Sequence, residues 1–222
     1  MHHIHTTPGF VIDSHPYGEA GKMLSIFTRD FGLVLATAQG IRLEKSKLRY
    51  HTQEYAFGVF SFVRGKEFWR LTHAEDSKSE GIGTVENRGV ENKVIEEDKN
   101  ERIQNGEYRI ESRMAQELIG RIAVLLRRLL HGEESQPRLF MAIESARDFL
   151  QRERALTADQ FKALESVIVL RILDALGYIG NDRLIEARFR TEPLTPGFLA
   201  ELAPERMRMN VHINKALRES QL

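Results

Sequence analysis

Five strand-like runs crowd into residues 6–75, each closed by glycine, proline or acidic turn residues, and this spacing commits the first third of the chain to a small antiparallel β-unit. TTPGFVIDS (6–14) leads to a turn around Pro16, Tyr17 and Gly18, and KMLSIFTR (22–29) alternates apolar residues with Ser25 and Thr28. After a turn at Asp30–Gly32 come GLVLATAQG, EYAFGVFSFVRG and EFWRLTHAE, rich in Val, Phe and Thr. So many short strands fit a closed or nearly closed barrel, with an open meander packed on helices as the alternative.

The last half of the chain carries a different period. MAQELIGRIAVLLRRLLHG (114–132) places Leu118, Ile122, Leu125, Leu126 and Leu129 at spacings of three and four, the stripe of a half-buried helix. Pro137 stands where a helix can begin, and LFMAIESARDFL continues it with Leu139, Ile143, Ala146 and Leu150 on one side. Thr157 and Gln160 form a capping box ahead of FKALESVIVLRILDALG, which is apolar almost all round and so reads as the central helix of a bundle, stopped by Gly177. TPGFLAELA supplies one or two turns, and the final stretch reads as an amphipathic helix with Met207, Val211 and Leu217 inward.

Between these halves the composition shifts. From about Asp76 to Tyr108 the chain is crowded with Glu, Lys, Asn and Gly and has few apolar residues to bury, which predicts an acidic polar linker. Val85, Val90, Val94 and Ile95 leave room for a hairpin there, and Glu96, Glu97 and Asp98 read as a solvated face or as a competitor for a basic loop. The boundaries implied are 1–76 for the β-domain, 77–109 for the linker and 110–222 for the helical domain.

Several function classes fall away on composition. Thirty-two basic side chains balance thirty-two acidic ones, so a polyanion partner can be argued only from local charge. The chain has no cysteine, which excludes disulfides, thiolate metal sites and a cysteine nucleophile. No apolar run approaches the ~20 residues of a membrane span, and MHHIHTTP lacks a signal pattern, so a soluble cytoplasmic protein is expected.

Local charge is concentrated at IRLEKSKLRY (41–50), where Arg42, Lys45, Lys47 and Arg49 face one acid, Glu44, in a loop between strands. Loops in that position grip nucleic acid in barrels of this kind. Lys22, Arg64, Lys66 and Arg70 could extend the surface, and Tyr50, Phe68 or Trp69 could stack on bases. Strand alternation puts Phe68 and Trp69 on opposite faces, and core or interdomain packing is the competing role for Trp69. His2, His3 and His5 suggest a frayed terminus more than a metal cluster, and His15, His51 and His73 are scattered with no carboxylate pattern that specifies a site. Arg127 and Arg128 suit a helix C-terminus, while Glu133 and Glu134 fall in a loop without an acid–base arrangement. Gly32, Gly40 and Gly65 read as turn residues.

Tyr17, Gly18, Glu19, Phe27, Thr28, Gly32, Gly40, Arg42, Lys45, Ser46, Lys47, Gly65, Trp69, Leu71 and Thr72, in this order and spacing, resemble the N-terminal domain of the bacterial recombination mediator family RecO. LRILDALGY (170–178) looks like the helix end ahead of that family's variable central segment. The resemblance implies an α+β fold, a five-stranded OB-fold barrel followed by an α-helical domain. It also implies a non-enzymatic DNA repair and recombination mediator that needs no cofactor, binds single- and double-stranded DNA and anneals complementary strands. Its partners would be RecR and the C-terminal tail of single-strand-binding protein, and it would help load recombinase. Many relatives carry four cysteines after the Leu-Gly-Tyr helix end, whereas GYIGNDRLIEARFRTEPL has none, so a zinc module is excluded here. An RNA-binding barrel and a DNA-processing nuclease are the competing classes.

Overall fold

The computed structural model describes residues 3–43, 45–76, 99–153, 155–179 and 187–219, and within 99–112 the backbone alone. Five strands, β1 (Ile4–Tyr17), β2 (Gly21–Thr28), β3 (Gly32–Ala38), β4 (Phe57–Arg64) and β5 (Trp69–Asp76), close into a barrel in the order β1-β2-β3-β5-β4. All pairings are antiparallel except β3 with β5, where Ala36 and Thr37 register with Trp69 and Arg70. This is the OB-fold arrangement, with the single-turn helix α1 (Leu48–His51) between β3 and β4. The open meander is thereby set aside.

Long β1 makes closure possible by pairing with β4 through its first half and with β2 through its second, turning at a bulge between Val11 and Asp13. It starts at Ile4, and His5 registers with Phe62, so the expected fraying of the N-terminus does not reach His5. The aromatic partners of its ring account for this order: His5 meets Phe31 and Trp69 edge-on, both at 5.4 Å.

Alternation along β1 sorts its side chains between two cores. Val11 joins Leu24, Ile26, Val34, Phe60, Phe62, Trp69 and Leu71 inside the barrel, while Phe10 and Ile12 point outward into the core of the helices. Each fully buried aliphatic or phenyl group of this kind contributes ~1.5–3 kcal/mol. The outer face of β1 and β2 is therefore one wall of the helical domain.

The helices are α2 (Lys99–Leu129), α3 (Pro137–Arg152), α4 (Ala158–Ala175), α5 (Ala187–Thr191), α6 (Pro196–Leu202) and α7 (Arg206–Glu219). Helix α2 begins 15 residues before the segment 114–132 that signalled it, through a stretch with three Glu and three Arg, both good helix formers. The suggested hairpin at Val85, Val90, Val94 and Ile95 and the acidic run Glu96, Glu97 and Asp98 lie outside the described residues.

Central α4 packs against α3, α5, α6 and α7. Its capping box is present at both ends of the exchange, with Gln160 N–H donating to Thr157 Oγ1 at 3.2 Å and Thr157 N–H to Gln160 Oε1 at 2.8 Å. Gly177, at φ 81°, closes it in a Schellman turn: its N–H donates to Asp174 O, and that of Tyr178 to Leu173 O. The inward face of α7 is not the expected one. Met209, Ile213 and Ala216 are buried, whereas Met207 and Val211 are 78 % and 62 % exposed and Leu217 is half-buried. Apolar residues stand on both sides of this helix, so periodicity alone does not choose between them.

Beyond Gly177, Arg171 of α4 fixes short α5 from beneath. Its guanidinium donates to the carbonyl of Phe189 at 2.9 Å and to that of Glu192. Burial pulls the Arg171 guanidinium below its ordinary pKa, and the charge of Glu192 partly restores it. Asp174 adds ion pairs to Arg190 and Arg138 at 3.4 and 3.8 Å. Among the described residues, no helix is long and apolar enough to cross a membrane.

Candidate nucleic-acid interface

The basic loop is not a loose surface segment. Ile41, 2 % exposed, inserts into the barrel core, and the backbone N–H of Arg42 donates to Ala20 O at 3.0 Å, tying the β3–β4 connection to the β1–β2 turn. Successive turns carry the chain onward, with Leu43 N–H to Gly40 O, Ser46 N–H to Leu43 O and Arg49 N–H to Ser46 O. Thr52 then closes α1 by donating its hydroxyl to Leu48 O at 2.7 Å. A buried aliphatic anchor flanked by such turns holds the backbone from which these cations project.

Lys22, Arg42 and Arg49, with Ile41 and Thr52, line one cleft of about 240 Å³ at this end of the barrel. Strand parity explains Lys22, which shares the inward face of β2 with Leu24 and Ile26 and so emerges at the barrel mouth. Its ammonium donates to Ser14 Oγ at 3.4 Å, and Arg42 also reaches the backbone carbonyl of Glu19 at 3.3 Å. Lys45 and Lys47 are exposed on the same loop. None of these five cations forms an ion pair with a described carboxylate.

The other expected residues divide. Arg70 is exposed on β5 beside Thr37, which registers with Met23 and so continues an outward-facing row across β2, β3 and β5. Lys66 is exposed in the β4–β5 turn. Arg64 is engaged elsewhere: it pairs with Glu133, from the loop after α2, and lies over the Trp69 ring with its guanidinium 4.7 Å from the centroid. Trp69 is 5 % exposed and donates its indole N–H to Glu133 Oε1 at 3.0 Å. A buried indole cannot stack on a base; Trp69 belongs to the barrel core and reaches the loop after α2 through its N–H.

Phe68 precedes β5 and meets Tyr17 edge-on with ring centroids 6.5 Å apart. Tyr17, 50 % exposed, ends β1, so this contact joins the β1–β2 and β4–β5 turns, the two turns through which OB-folds commonly hold oligonucleotides. In the sequence Tyr17 reads only as a turn residue. Its partner lies about 50 positions away, a pairing that arises only when the barrel closes. Tyr50, 73 % exposed on α1, faces a second cleft, away from the cations.

Two further roles are hidden in the sequence. Arg127 pairs with the largely buried Asp13 at 3.0 Å, linking α2 to the β1 bulge, whereas its place in the sequence suggests a favourable helix end and, as the lesser alternative, a DNA contact. Gly32, at φ 65°, lies so close to the 132–135 loop that an added Cβ would stand 2.1 Å from Glu134 O. Glu133 and Glu134 thus belong to the contact between barrel and helices. Among the described residues, no group of three His, Cys, Asp or Glu side chains could hold a metal ion, and His15, His51 and His73 each face a separate carboxylate.

Residues 1–79 match the family model described as Recombination protein O N terminal. The chain is 34 % identical over 71 residues to the DNA repair protein RecO of Halalkalibacterium halodurans, covering 32 % of this chain and 28 % of that one. It is 33 % identical over 84 residues to the DNA repair protein RecO of Synechocystis sp., covering 37 % and 31 %, and 36 % identical over 76 residues to that of Rubrobacter xylanophilus, covering 34 % and 31 %. The matched region spans less than a third of the length of these curated relatives. The N-terminal barrel is therefore similar in sequence to RecO proteins along its whole length.

Proposed function

We propose that this protein is a DNA repair and recombination mediator that holds DNA strands on its barrel and anneals complementary ones without cutting them. The observation that carries the reading is the cleft at the barrel mouth, where, among the described lining residues, Lys22, Arg42 and Arg49 are cationic and none is acidic. The similarity of residues 1–79 to RecO proteins supports it independently.

Cations arrayed along a strand displace condensed counterions from its phosphates, which gives affinity without sequence preference. Annealing requires that tolerance, because any strand must be accepted with its bases free to pair. Lys45 and Lys47 continue the contact along the loop, and Lys66 and Arg70 offer a path toward the Tyr17–Phe68 pair, where a base can stack. In this reading the protein works in the cytoplasm on nucleoid DNA. Its helical domain docks RecR and the tail of single-strand-binding protein so that recombinase is loaded.

A strand-annealing assay on the parent and on a variant with Arg42, Lys45, Lys47 and Arg49 all changed to Ala tests this. The variant is expected to stay folded and to lose most annealing, and the slope of log affinity against log salt on single strands should become shallower by at most about 3. Unchanged annealing and slope would remove the loop from the interface. Nicking of labelled DNA in magnesium would replace the mediator by a nuclease.

A further inference from the structure

A second cleft, of about 1270 Å³, opens where the end of β5 and the residues before β4 face α2 and α3. Phe57, Leu150, Leu156 and Phe161 give it an apolar wall, while Glu54, Asp76, Glu117 and Glu153 stand along it. Among the described lining residues, Arg147 is the one Lys or Arg. Its guanidinium is already held, paired with Asp148 Oδ1 at 2.7 Å and lying 5.0 Å from the Phe57 ring centroid.

The four lining carboxylates are only partly compensated. Asp76 faces His51 Nδ1 at 2.8 Å and Glu117 pairs with Arg113 at 3.0 Å, while Glu54 accepts from the Ser14 hydroxyl at 3.3 Å. Among the described lining residues four carboxylates thus stand against one guanidinium, beside apolar surface that gains from being covered. Its wall is held at a conformational cost: Tyr55, which lines the cleft, has φ 70°, a region that bulky side chains rarely adopt.

We propose that this cleft docks a cationic segment of a protein partner, a stretch that lays an apolar side chain on Leu150 and Leu156 and sets Lys or Arg groups against Glu54, Glu117 and Glu153. Charge selects this occupant over the alternatives. A nucleic-acid strand or an acidic peptide would be repelled. The chain's own residues 77–98 carry six acidic and three basic side chains, so they too are mismatched. The site is independent of the DNA reading, since none of the five mouth cations lines it.

The test uses the whole protein and two fluorescein-labelled peptides of about 14 residues, one alternating Lys and Leu and the other Glu and Leu, followed by anisotropy. The Lys–Leu peptide is expected to bind, with affinity at least tenfold lower in Glu54→Gln/Glu153→Gln and lower again in Gln116→Arg, which introduces a cation at an exposed lining position. Binding of single-stranded DNA by these variants should stay within twofold of the parent. Equal binding of both peptides, or unchanged binding in both variants, would each overturn the proposal. Loss of DNA binding in the mouth variant with peptide binding intact would leave it standing.

Discussion

Trp69 and Glu133, 64 positions apart in sequence, are joined by an indole-to-carboxylate hydrogen bond of 3.0 Å, and the same carboxylate pairs with Arg64. One side chain from the loop after α2 thus satisfies both the buried donor of the barrel and the cation stacked on it.

Glu133→Ala is expected to destabilise the protein by ~1–3 kcal/mol, because it leaves the indole N–H without its acceptor in a nearly buried position. Glu133→Gln keeps an acceptor and should cost less. Urea unfolding followed by the fluorescence of Trp69, the chain's single tryptophan, measures both. Equal losses in the two variants would show that the hydrogen bond contributes nothing.

Arg64→Ala is expected to lower stability while leaving the salt dependence of DNA binding unchanged, whereas Arg49→Ala should do the reverse. Their exposure is not what separates them. Arg64 already has a carboxylate partner, while Arg49 lines a cleft with no acid among its described residues. Single-strand titrations at several salt concentrations, alongside thermal melts, decide it.

Tyr17→Ala and Phe68→Ala should each weaken single-strand affinity by up to ~1–3 kcal/mol if a base stacks on the pair they form. Because the two rings touch, the double variant should lose less than the sum of the singles. Strict additivity would show that they act separately.

Gly32→Ala meets two obstacles at once, a left-handed backbone and a backbone oxygen 2.1 Å from the new methyl. A loss of more than ~1 kcal/mol is expected, and hydrogen exchange should rise at Leu33, whose N–H donates to Gly132 O across the same contact. Wild-type protection at Leu33 would argue that the loop simply moves aside.

The features legible in the sequence are those that local chemistry determines. Glycine-bounded alternation locates the five strands, Thr157 and Gln160 mark a helix start, and Gly177 marks a stop, because each acts within a few residues of itself. The features that stay illegible depend on partners far along the chain. Glu133 looks like a loop acid until Trp69 and Arg64 are folded against it, and Tyr17 looks like a turn residue until Phe68 arrives. Helix α7 offers two apolar faces, and only packing on α4 selects Met209 and Ile213 over Met207 and Val211. The cations of residues 42–49 are visible as charge, but their convergence with Lys22 requires the barrel to close.

Phe31, His5 and Trp69 pack against one another as a triangle of rings, and the space between the strands is filled by Phe60, Phe62 and their neighbours. Nothing can be threaded through such a plugged cylinder. A polymer resting on it occupies a shelf rather than a tunnel, with one flank left open to water along its length. A second strand could then zip onto the first from above, before the first has been let go.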